Sequence, residues 1–434
     1  MADERAVAGA WVPASRRREG GDVDIVMISQ LFPPETAAGA NRVAAFASAL
    51  HERFGLRVVT LEPGYPDPKL YPRTAWRESD RARGIPIKRI PAFRPHDPSL
   101  MRRALREIVM SLSLVWAARG GVPDVILVST PSMFLAPAGW LSARLSGARF
   151  VWDVRDLTWR YAKECVATGG GQHRLLDWLE TLMLWLLRRT DLVIAATAGL
   201  GQVLLEQGVP AAKMITVSNG VSKSFLDVFS SAASTGRSAR PRVTYVGLMG
   251  YNHGIGILLD VARLLPGVDV YLVGDGPERP AIEDRLRDGK LANVVLCGYV
   301  TDPAELAGYY LSSDVLVNHT KDTPILNQIV YPAKIFEYFA TRRPVVYAGA
   351  GFAANLLRER DLALVVPPND PVALARGIEE VLGDPHRASE RSERARRSVE
   401  TEFCREVQLR TLSDELERRF GGARPETLNT RSRP

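Results

Sequence analysis

The stretch "YVGLMGYNHGIGILLDVARLL" (residues 245–265) has the pattern of a strand, a glycine-rich turn and a helix. The turn carries Gly247, Gly250, Gly254 and Gly256, and an apolar helix-like run follows it. Glycine lets a backbone approach a ligand closely, and the start of a helix offers free N–H groups to phosphate. An ordinary strand–helix turn gives the same pattern, so the stretch predicts a βα unit and leaves a ligand site open.

Units of this kind recur along the whole chain, because short apolar runs alternate with longer helix-like stretches. That alternation is typical of parallel sheets covered on both faces. The predicted strands are residues 24–29, 56–61, 124–129, 149–154, 191–196, 242–247, 269–274, 293–298, 314–319, 344–349 and 362–367. We therefore predict an α/β fold of two Rossmann-like, doubly wound domains. Since ligands of such sheets bind at the carboxyl ends of the strands, we expect the two domains to face each other across a cleft.

A length of 434 residues also favours two domains over one. The Ser-, Ala- and Gly-rich stretch 229–241 is the predicted linker. The predicted parts are a disordered N-terminal extension (1–22), an N-terminal domain (23–228), the linker (229–241), a C-terminal domain (242–396), a closing helix (397–420) and a disordered tail (421–434).

Composition points to a cytoplasmic protein. The three cysteines are scattered and show no metal-ligand spacing, which fits a reducing compartment. The N-terminus lacks the apolar segment of a secretory signal. The longest uncharged run, residues 125–143, contains Pro131 and Pro137, so a strand, a turn and a helix fit it better than a membrane span.

The net charge of +7 is unevenly placed. Residues 67–107 contain eleven Lys/Arg and five Asp/Glu, which indicates an anionic partner beside the N-terminal half. A helix predicted within residues 99–121 carries an apolar stripe of Leu100, Met101, Leu105, Ile108, Val109 and Leu112, with Arg102, Arg103 and Arg106 beside it. We expect this helix to bind an anionic membrane surface reversibly. The alternative is a core-facing helix with a solvated basic face.

A second apolar helix is predicted at residues 174–191, with Trp178 and Trp185 seven positions apart. It could contact lipid, but the pattern favours a core helix between strands.

Three further segments carry a family resemblance: "VSNGVSKSFL" (217–226), "VGDGPERPAIEDRL" (273–286) and "YPAKIFEYFATRRPVV" (331–346). Their order and spacing resemble the family 4 glycosyltransferases of the GT-B fold, from Ile25 to about Phe420. The segment "ISQLFPPETAAGANRVAAFASAL" (28–50) resembles the subgroup that makes bacterial surface polysaccharides.

The resemblance implies a retaining glycosyltransferase that uses a nucleotide-diphosphate sugar, expected to be a UDP-sugar. It implies that residues 23–228 form the acceptor domain, that residues 242–396 form the nucleotide-sugar-binding domain and that the helix 397–420 crosses back to the first domain. It implies neither a metal nor another cofactor, and no nucleic-acid partner. The implied acceptor is a hydroxyl group on a lipid-linked saccharide or a glycoside. Two alternatives remain open, namely a nucleotide-sugar 2-epimerase of the same fold and a non-catalytic sugar-nucleotide-binding subunit.

The sequence departs from the family pattern at three positions. Ile329 stands where the first of two glutamates is usual, and Leu248 and His253 stand where arginine and lysine are often found. Lys334 lies in the first turn of a predicted helix, where the helix dipole repels a cation. The resemblance implies that Lys334 neutralises the donor phosphates and that Glu337 accepts hydrogen bonds from the ribose. The alternative is a surface salt bridge between these two residues.

The remaining predicted contacts also come from the resemblance. The implied donor-binding residues are Gly39, Arg42, Gly247, Gly250, His253, Gly274, Gly276, His319, Leu326, Asn327, Lys334 and Glu337, and His319 could instead brace its loop. The implied acceptor-binding residues are Asp153, Arg155 and Asp156, and the predicted catalytic residues are Asp156, Lys334 and Glu337. Asp156 would position or deprotonate the acceptor hydroxyl. The alternative for this segment is an internal Asp–Arg pair that supports the loop.

Overall fold

The computed structural model describes residues 23–35, 37–64, 68–92, 100–165, 171–230, 239–289, 291–300 and 302–421. The predicted extension (1–22), residues 231–238 of the predicted linker and residues 422–434 of the predicted tail lie outside this range. Within it, the chain forms two compact units. The first contains residues 23–196, 207–217 and 409–421, and the second contains residues 197–206 and 218–408.

The first unit is built on a parallel sheet with the strand order β3-β2-β1-β4-β5-β6-β7. Its strands are β1 (Asp24–Ser29), β2 (Gly55–Leu61), β3 (Ile87–Ile90), β4 (Val125–Ser129), β5 (Arg149–Val154), β6 (Leu192–Ala195) and β7 (Met214–Thr216). Its helices are α1 (Ala38–Arg53), α2 (Arg73–Ala82), α3 (Leu100–Ala117), α4 (Leu135–Ser146), α5 (Thr158–Cys165) and α6 (Gly171–Arg189).

The second unit has a parallel sheet with the strand order β10-β9-β8-β11-β12-β13. Its strands are β8 (Arg242–Val246), β9 (Asp269–Val273), β10 (Val294–Gly298), β11 (Val315–His319), β12 (Val345–Ala348) and β13 (Leu364–Val366). Its helices are α7 (Ala198–Glu206), α8 (Lys223–Val228), α9 (Ile257–Leu264), α10 (Arg279–Gly289), α11 (Pro303–Leu311), α12 (Pro324–Ile329), α13 (Ala333–Ala340), α14 (Gly351–Glu359), α15 (Pro371–Gly383) and α16 (Pro385–Thr401). The last helix, α17 (Arg405–Phe420), begins in this unit and ends in the first. Two parallel sheets, each accompanied by helices, confirm the predicted fold class.

The predicted single helix over residues 397–420 is wrong. Helix α16 ends at Thr401 and α17 begins at Arg405. Between them the chain pairs with Val221, whose N–H donates to the carbonyl of Phe403 and whose carbonyl accepts from the N–H of Arg405 at 2.8 Å. Phe403 and Cys404 are buried in the core of the second unit. Extended pairing and burial therefore interrupt a run of good helix formers at this point.

Helices α3, α4 and α6 bury only one side each. Met183, Leu186 and Leu187 face the interior from α6, whereas Trp178 is 59% exposed and Trp185 is 38% exposed. The core-helix interpretation of residues 174–191 is therefore wrong for the face that carries the tryptophans. Among the described helices, none is long and apolar enough to cross a membrane.

Gly274 gives a direct test of how the second unit is packed. Its φ of +139° lies in the region that favours glycine, and a Cβ there would stand 2.0 Å from the carbonyl oxygen of Gly247. We expect Gly274→Ala to lower the free energy of unfolding by more than about 2 kcal/mol. Urea denaturation measures this loss. Gly267→Ala is the control, because its added Cβ meets nothing within 4 Å, and an equal effect of both changes would contradict the packing argument.

Candidate active site

Lys334 lies where a strand, a glycine turn and a helix meet. It is in the first turn of α13, whose N-cap residue, Pro332, makes no side-chain capping bond. Its Nζ is hydrogen-bonded to the Tyr245 hydroxyl and stands 4.2 Å from the centroid of the Tyr245 ring. The hydroxyl donates to the Leu248 carbonyl at 2.6 Å, which leaves the phenolic oxygen free to accept from the ammonium. The last residues of β8 therefore hold the cation of α13 in place.

Gly247 makes this position possible. Its φ is +140°, and a Cβ on it would stand 2.8 Å from Nζ of Lys334. The glycine thus leaves room for the ammonium at the carboxyl end of β8, the edge at which parallel sheets bind ligands. That Gly247 contacts a ligand stays a prediction. In the structure, the atom nearest to a Cβ built on Gly247 is Nζ of Lys334.

Burial shifts the pKa values of Lys334 and Glu337 in opposite directions. Burial lowers the pKa of Lys334 to about 7, and Glu337 acts in the opposite direction. Burial also raises the pKa of Glu337, while a hydrogen bond from the Tyr310 hydroxyl at 2.8 Å lowers it. Because the two residues take different hydrogen-bond partners and lie in a desolvated place, the arrangement does not match a surface salt bridge.

Gly274 and Gly276 join two turns of the second unit. Gly276 has a φ of +154°, and a Cβ on it would stand 2.6 Å from the Met249 carbonyl oxygen. The turn after β9 also bonds the turn after β8, since the Met249 N–H donates to the Asp275 carbonyl at 2.8 Å. Gly250 accepts from the N–H of His253 at 2.8 Å within the same turn. These glycines have a structural role, and their donor contacts stay predictions.

His319 braces this region. Its Nε2 accepts from the N–H of Asn369 at 3.1 Å, so its Nδ1 carries the proton and donates to the His253 carbonyl. Burial and the nearby Lys334 lower the pKa of His253 to about 3. A neutral His253 cannot replace the lysine that it stands for in the family pattern. Lys334, whose charge helps to lower the pKa of His253, is a cation beside it.

Asn318 is the polar residue of β11 whose position most favours a ligand. It is fully buried, and both its amide oxygen and its amide nitrogen lack a hydrogen-bond partner within the described part of the chain. Buried amides of native proteins are normally satisfied, so an unsatisfied one calls for an explanation such as a ligand. Asn318 lies one residue before the end of β11, at the carboxyl edge of the sheet.

Residues 321–328, which include the predicted donor residues Leu326 and Asn327, are mostly helical. Thr323 caps α12, and the buried Leu326 side chain packs inside the unit, so a donor contact at Leu326 would have to involve the main chain. The Asn327 amide donates to Asp322 at 2.6 Å. Lys321 pairs with Glu278 at 3.2 Å. The donor contacts of Leu326 and Asn327 stay predictions.

In the first unit, Arg42 and Asp153 bind each other. Asp153 is fully buried and accepts from Nη2 of Arg42 at 2.7 Å and from the Ser129 hydroxyl at 2.7 Å. Arg42 also donates to the Val217 carbonyl at 2.8 Å. This is the internal Asp–Arg pair considered in the sequence, although its arginine is Arg42 and not Arg155. The geometry therefore favours a supporting role for both residues over direct ligand contact.

Arg155 and Asp156 follow the end of β5 and are only partly satisfied. Nη1 of Arg155 and Oδ1 of Asp156 are buried without a hydrogen-bond partner in the described structure. Burial raises the pKa of Asp156 to about 6, against the opposite effect of Arg155. An aspartate with this pKa is mostly ionised at neutral pH and can accept a proton, as the predicted acceptor role requires.

The structure adds Tyr245 and Tyr310 as partners of the predicted site residues. Both lie in apolar runs, where an aromatic residue is expected in a core, and no local signal marks their hydroxyls. No group of three or more His, Cys, Asp or Glu in the described ranges is placed to hold a metal ion.

Two family profiles match the chain. Residues 38–220 match a profile described as a glycosyl transferase 4-like domain, and residues 240–384 match one described as glycosyl transferases group 1. A glycogen synthase of Mycobacterium tuberculosis is 23% identical over 404 residues, covering 87% of this chain and 91% of that protein. The lipopolysaccharide core biosynthesis glycosyltransferase LpsE of Rhizobium meliloti is 24% identical over 221 residues, covering 51% of this chain and 62% of that protein.

A solved structure has the same fold. Anabaena HepE in complex with UDP superposes with a TM-score of 0.66 at 17% identity, over 91% of this chain and all of that one. The two profile matches follow each other in the order of the two units and together span most of the described residues. The chain therefore belongs to the GT4-like glycosyltransferases of the GT-B fold.

Proposed function

We propose that this glycosyltransferase moves a sugar from a UDP-sugar to a hydroxyl acceptor with retention of the anomeric configuration. The second unit would bind the donor. The observation that carries the proposal is Lys334, a desolvated cation in the first turn of α13 whose Nζ lies against the glycine turn after β8. The complex of HepE with UDP supports the choice of nucleotide, because HepE shares the fold.

The proposed chemistry is electrostatic. As the bond to the donor sugar breaks, negative charge develops on the leaving diphosphate, and Lys334 together with the N–H groups of α13 would stabilise it. Glu337 would accept hydrogen bonds from ribose hydroxyls and so fix the nucleoside. Asp156 would position the acceptor hydroxyl and take its proton. The departing diphosphate would thus meet a preorganised positive site.

Lys334→Ala tests the phosphate role. We expect it to weaken UDP binding by about 1.5–3 kcal/mol, the range for a hydrogen bond to a charged group, and to leave uridine binding nearly unchanged. Calorimetric titration measures both. Lys223→Ala is the matched control, because Lys223 also lies in the first turn of a helix but is exposed. Equal losses for UDP and uridine would refute the role.

The pH dependence follows from the same group. Since the pKa of Lys334 is lowered to about 7, the free protein loses this cation as the pH rises above 7. A bound diphosphate favours the protonated form, so the dissociation constant of UDP should rise about tenfold or more from pH 7 to pH 9. Burial lowers the pKa of the nearby His253 to about 3, so His253 stays neutral throughout this window. The rise should be absent in Lys334→Ala.

Retention and independence of divalent metal are tested together. The product anomer is assigned by NMR after incubation with sugar nucleotides and hydroxyl acceptors, with and without a chelator. We expect the donor's anomeric configuration in the product and no effect of the chelator. An inverted product, or activity lost with chelator and restored by magnesium, would contradict this. Conversion of the donor without any acceptor would instead indicate the 2-epimerase, and binding without turnover would indicate the non-catalytic subunit.

The proposal for the acceptor rests on three neighbouring helices of the first unit. Helix α4 packs against α3 and α6, and Trp140 of α4 meets Trp185 of α6 edge-on at 5.3 Å. We call the exposed apolar side chains of these helices the three-helix face. It consists of Leu105, Ile108, Val109, Leu112 and Trp116 of α3, Leu141 and Leu145 of α4, and Leu175, Trp178 and Trp185 of α6.

The stripe predicted on α3 is therefore largely exposed. The buried side of α3 contains Met110, Leu114 and Val115, whereas Leu105 is 61% exposed and Trp116 is 68% exposed. The core-facing alternative is therefore wrong for the members of this stripe whose side chains are described, Leu105, Ile108, Val109 and Leu112. Leu100 and Met101 lie outside the residues whose side chains are described.

Charge on the same helices suits an anionic bilayer. Helices α3, α4 and α6 carry seven arginines and three acidic residues. Arginine side chains stack on tryptophans of this surface, as Arg189 does on Trp185 at 4.4 Å and Arg119 on Trp116 at 4.1 Å. Tryptophan and arginine beside an apolar surface are typical of proteins that lie at a membrane interface. We infer a peripheral membrane protein of the cytoplasmic leaflet with a lipid-linked acceptor.

Vesicle sedimentation tests this surface. Wild-type protein should bind phosphatidylglycerol-rich vesicles at low salt and dissociate at high salt. Since each basic residue adds about 1 kcal/mol near anionic lipid, the triple change of Arg102, Arg103 and Arg106 to Glu should weaken binding about a hundredfold or more. Trp116→Ala with Trp178→Ala should weaken binding at low salt, because it removes apolar contact with the bilayer.

The matched control changes three exposed arginines of the second unit, Arg287, Arg358 and Arg376, to Glu, which alters net charge equally. Equal losses in both triple variants would mean that net charge, and not the three-helix face, drives binding. No binding of the wild type at low salt would refute membrane association and favour a soluble glycoside acceptor.

A further inference from the structure

Two tyrosine hydroxyls bond the two charged side chains of α13. The Tyr310 hydroxyl donates to Oε2 of Glu337 at 2.8 Å, and the Tyr245 hydroxyl accepts from Nζ of Lys334. Both tyrosines are fully buried. Burial raises the pKa of both tyrosines well above the usual value, so each hydroxyl keeps its proton at neutral pH. Each bond thus joins a neutral phenol to a charged group, which places it in the stronger class of hydrogen bonds.

The Tyr310 ring is enclosed by other aromatic rings. Its centroid lies 6.4 Å from that of Phe225, 6.0 Å from that of Phe229 and 5.9 Å from that of Tyr338, each time in an edge-on arrangement. Packing therefore sets the direction of the Tyr310 hydroxyl, and with it the carboxylate oxygen of Glu337 that accepts the bond. Because a carboxylate has two oxygens, Oε1 of Glu337 is left for another donor.

Other contacts dock α13 on the second sheet. The Tyr338 hydroxyl accepts from the N–H of Val246 at 2.9 Å and donates to the Val246 carbonyl at 3.0 Å. Ile335, Phe336 and Phe339 bury the apolar side of the helix in the core of the second unit. The position of α13 therefore does not depend on the two hydroxyls that bond its charged side chains. Those hydroxyls instead determine where the carboxylate and the ammonium lie.

We infer that Tyr310 and Tyr245 are positioning residues for two different parts of the nucleotide. Tyr310 holds Glu337 for the ribose hydroxyls. Tyr245 holds Lys334 for the diphosphate. The inference deepens the proposed function and rests on it for what the two charged groups bind. A side chain that is already held in its binding conformation loses less rotamer entropy when the ligand arrives, so each tyrosine strengthens binding without touching the ligand.

Two variants remove these hydroxyls and keep the rings, namely Tyr310→Phe and Tyr245→Phe. Tyr271→Phe is the matched control, because the Tyr271 hydroxyl also bonds a charged side chain, accepting from Nη2 of Arg242 at 3.3 Å. Arg242 is the first residue of β8, at the opposite end of that strand from the glycine turn. Melting temperatures close to that of the control would establish that the two variants are folded.

UDP, uridine and inorganic pyrophosphate are titrated calorimetrically into each protein. Tyr310→Phe should weaken uridine and UDP binding by the same factor, about tenfold, and leave pyrophosphate binding unchanged. Tyr245→Phe should weaken pyrophosphate and UDP binding about tenfold and leave uridine binding unchanged. Tyr271→Phe should change none of the three affinities. Residues that only packed α13 would not give this crossed pattern, because a loosened helix would bind all three ligands more weakly.

A second measurement asks whether each tyrosine acts through its charged partner. In Glu337→Ala protein, adding Tyr310→Phe should cause no further loss of UDP binding, because the group to be positioned is absent. In Lys334→Ala protein, adding Tyr245→Phe should likewise cause none. Further losses of about tenfold in both backgrounds would mean that the tyrosines act on the helix as a whole, and would overturn the inference.

Equal losses for all three ligands, or affinities that match Tyr271→Phe throughout, would also overturn it. The two proposals fail in different ways. If the wild type binds UDP and both tyrosine variants behave as the control, the donor proposal stands and the positioning role is refuted. If the wild type binds neither UDP nor uridine, the proposed donor is refuted and the inference falls with it.

Discussion

A positive side chain held at the positive end of a helix is the constraint on which the second unit depends. Desolvation and the dipole of α13 both disfavour a charged Lys334. The Tyr245 hydroxyl, the face of its ring and the carboxylate of Glu337 offset part of that cost. The glycine at position 247 supplies the space. The strand, the turn and the helix are thus shaped around one ammonium group, whose desolvation these partners offset only in part.

The first unit repeats this arrangement with different chemistry. Arg155 takes the place of the lysine, Gly39 supplies the space, and the helix is α1. A guanidinium stays charged throughout the physiological range, whereas burial brings the pKa of Lys334 to about 7. One cation is therefore fixed in charge and the other can change its charge with pH and with the ligand. Arg42 is paired with Asp153, whereas Nη1 of Arg155 has no hydrogen-bond partner in the described structure.

The central strands were predictable because they are buried on both faces and read as continuous apolar runs. The strands β3 and β7 were not, because both lie at sheet edges, β3 contains two basic residues and β7 has three residues. The neighbouring residues alone predict that Lys334 lies in the first turn of a helix. They do not predict its partner Tyr245, since 89 positions separate the two, and the pairing of Arg42 with Asp153 spans 111. Periodicity alone predicts the apolar stripe of α3. It does not predict that the stripe is exposed, because neighbouring helices decide which side of α3 and of α6 is buried.

The unsatisfied polar atoms connect the fold with its chemistry. The amide of Asn318, Nδ1 of His253, Nη1 of Arg155 and Oδ1 of Asp156 are buried without partners in the described structure. All four residues lie at or just beyond the carboxyl ends of strands β5, β8 and β11. A buried polar atom that stays without any hydrogen bond costs about 1–3 kcal/mol, a large part of the stability of an ordinary domain. A donor or acceptor that supplies the missing hydrogen bonds would recover this free energy on binding. Polar groups left unpaired at the strand ends would therefore cost stability in the free enzyme and strengthen the binding of a ligand that pairs with them.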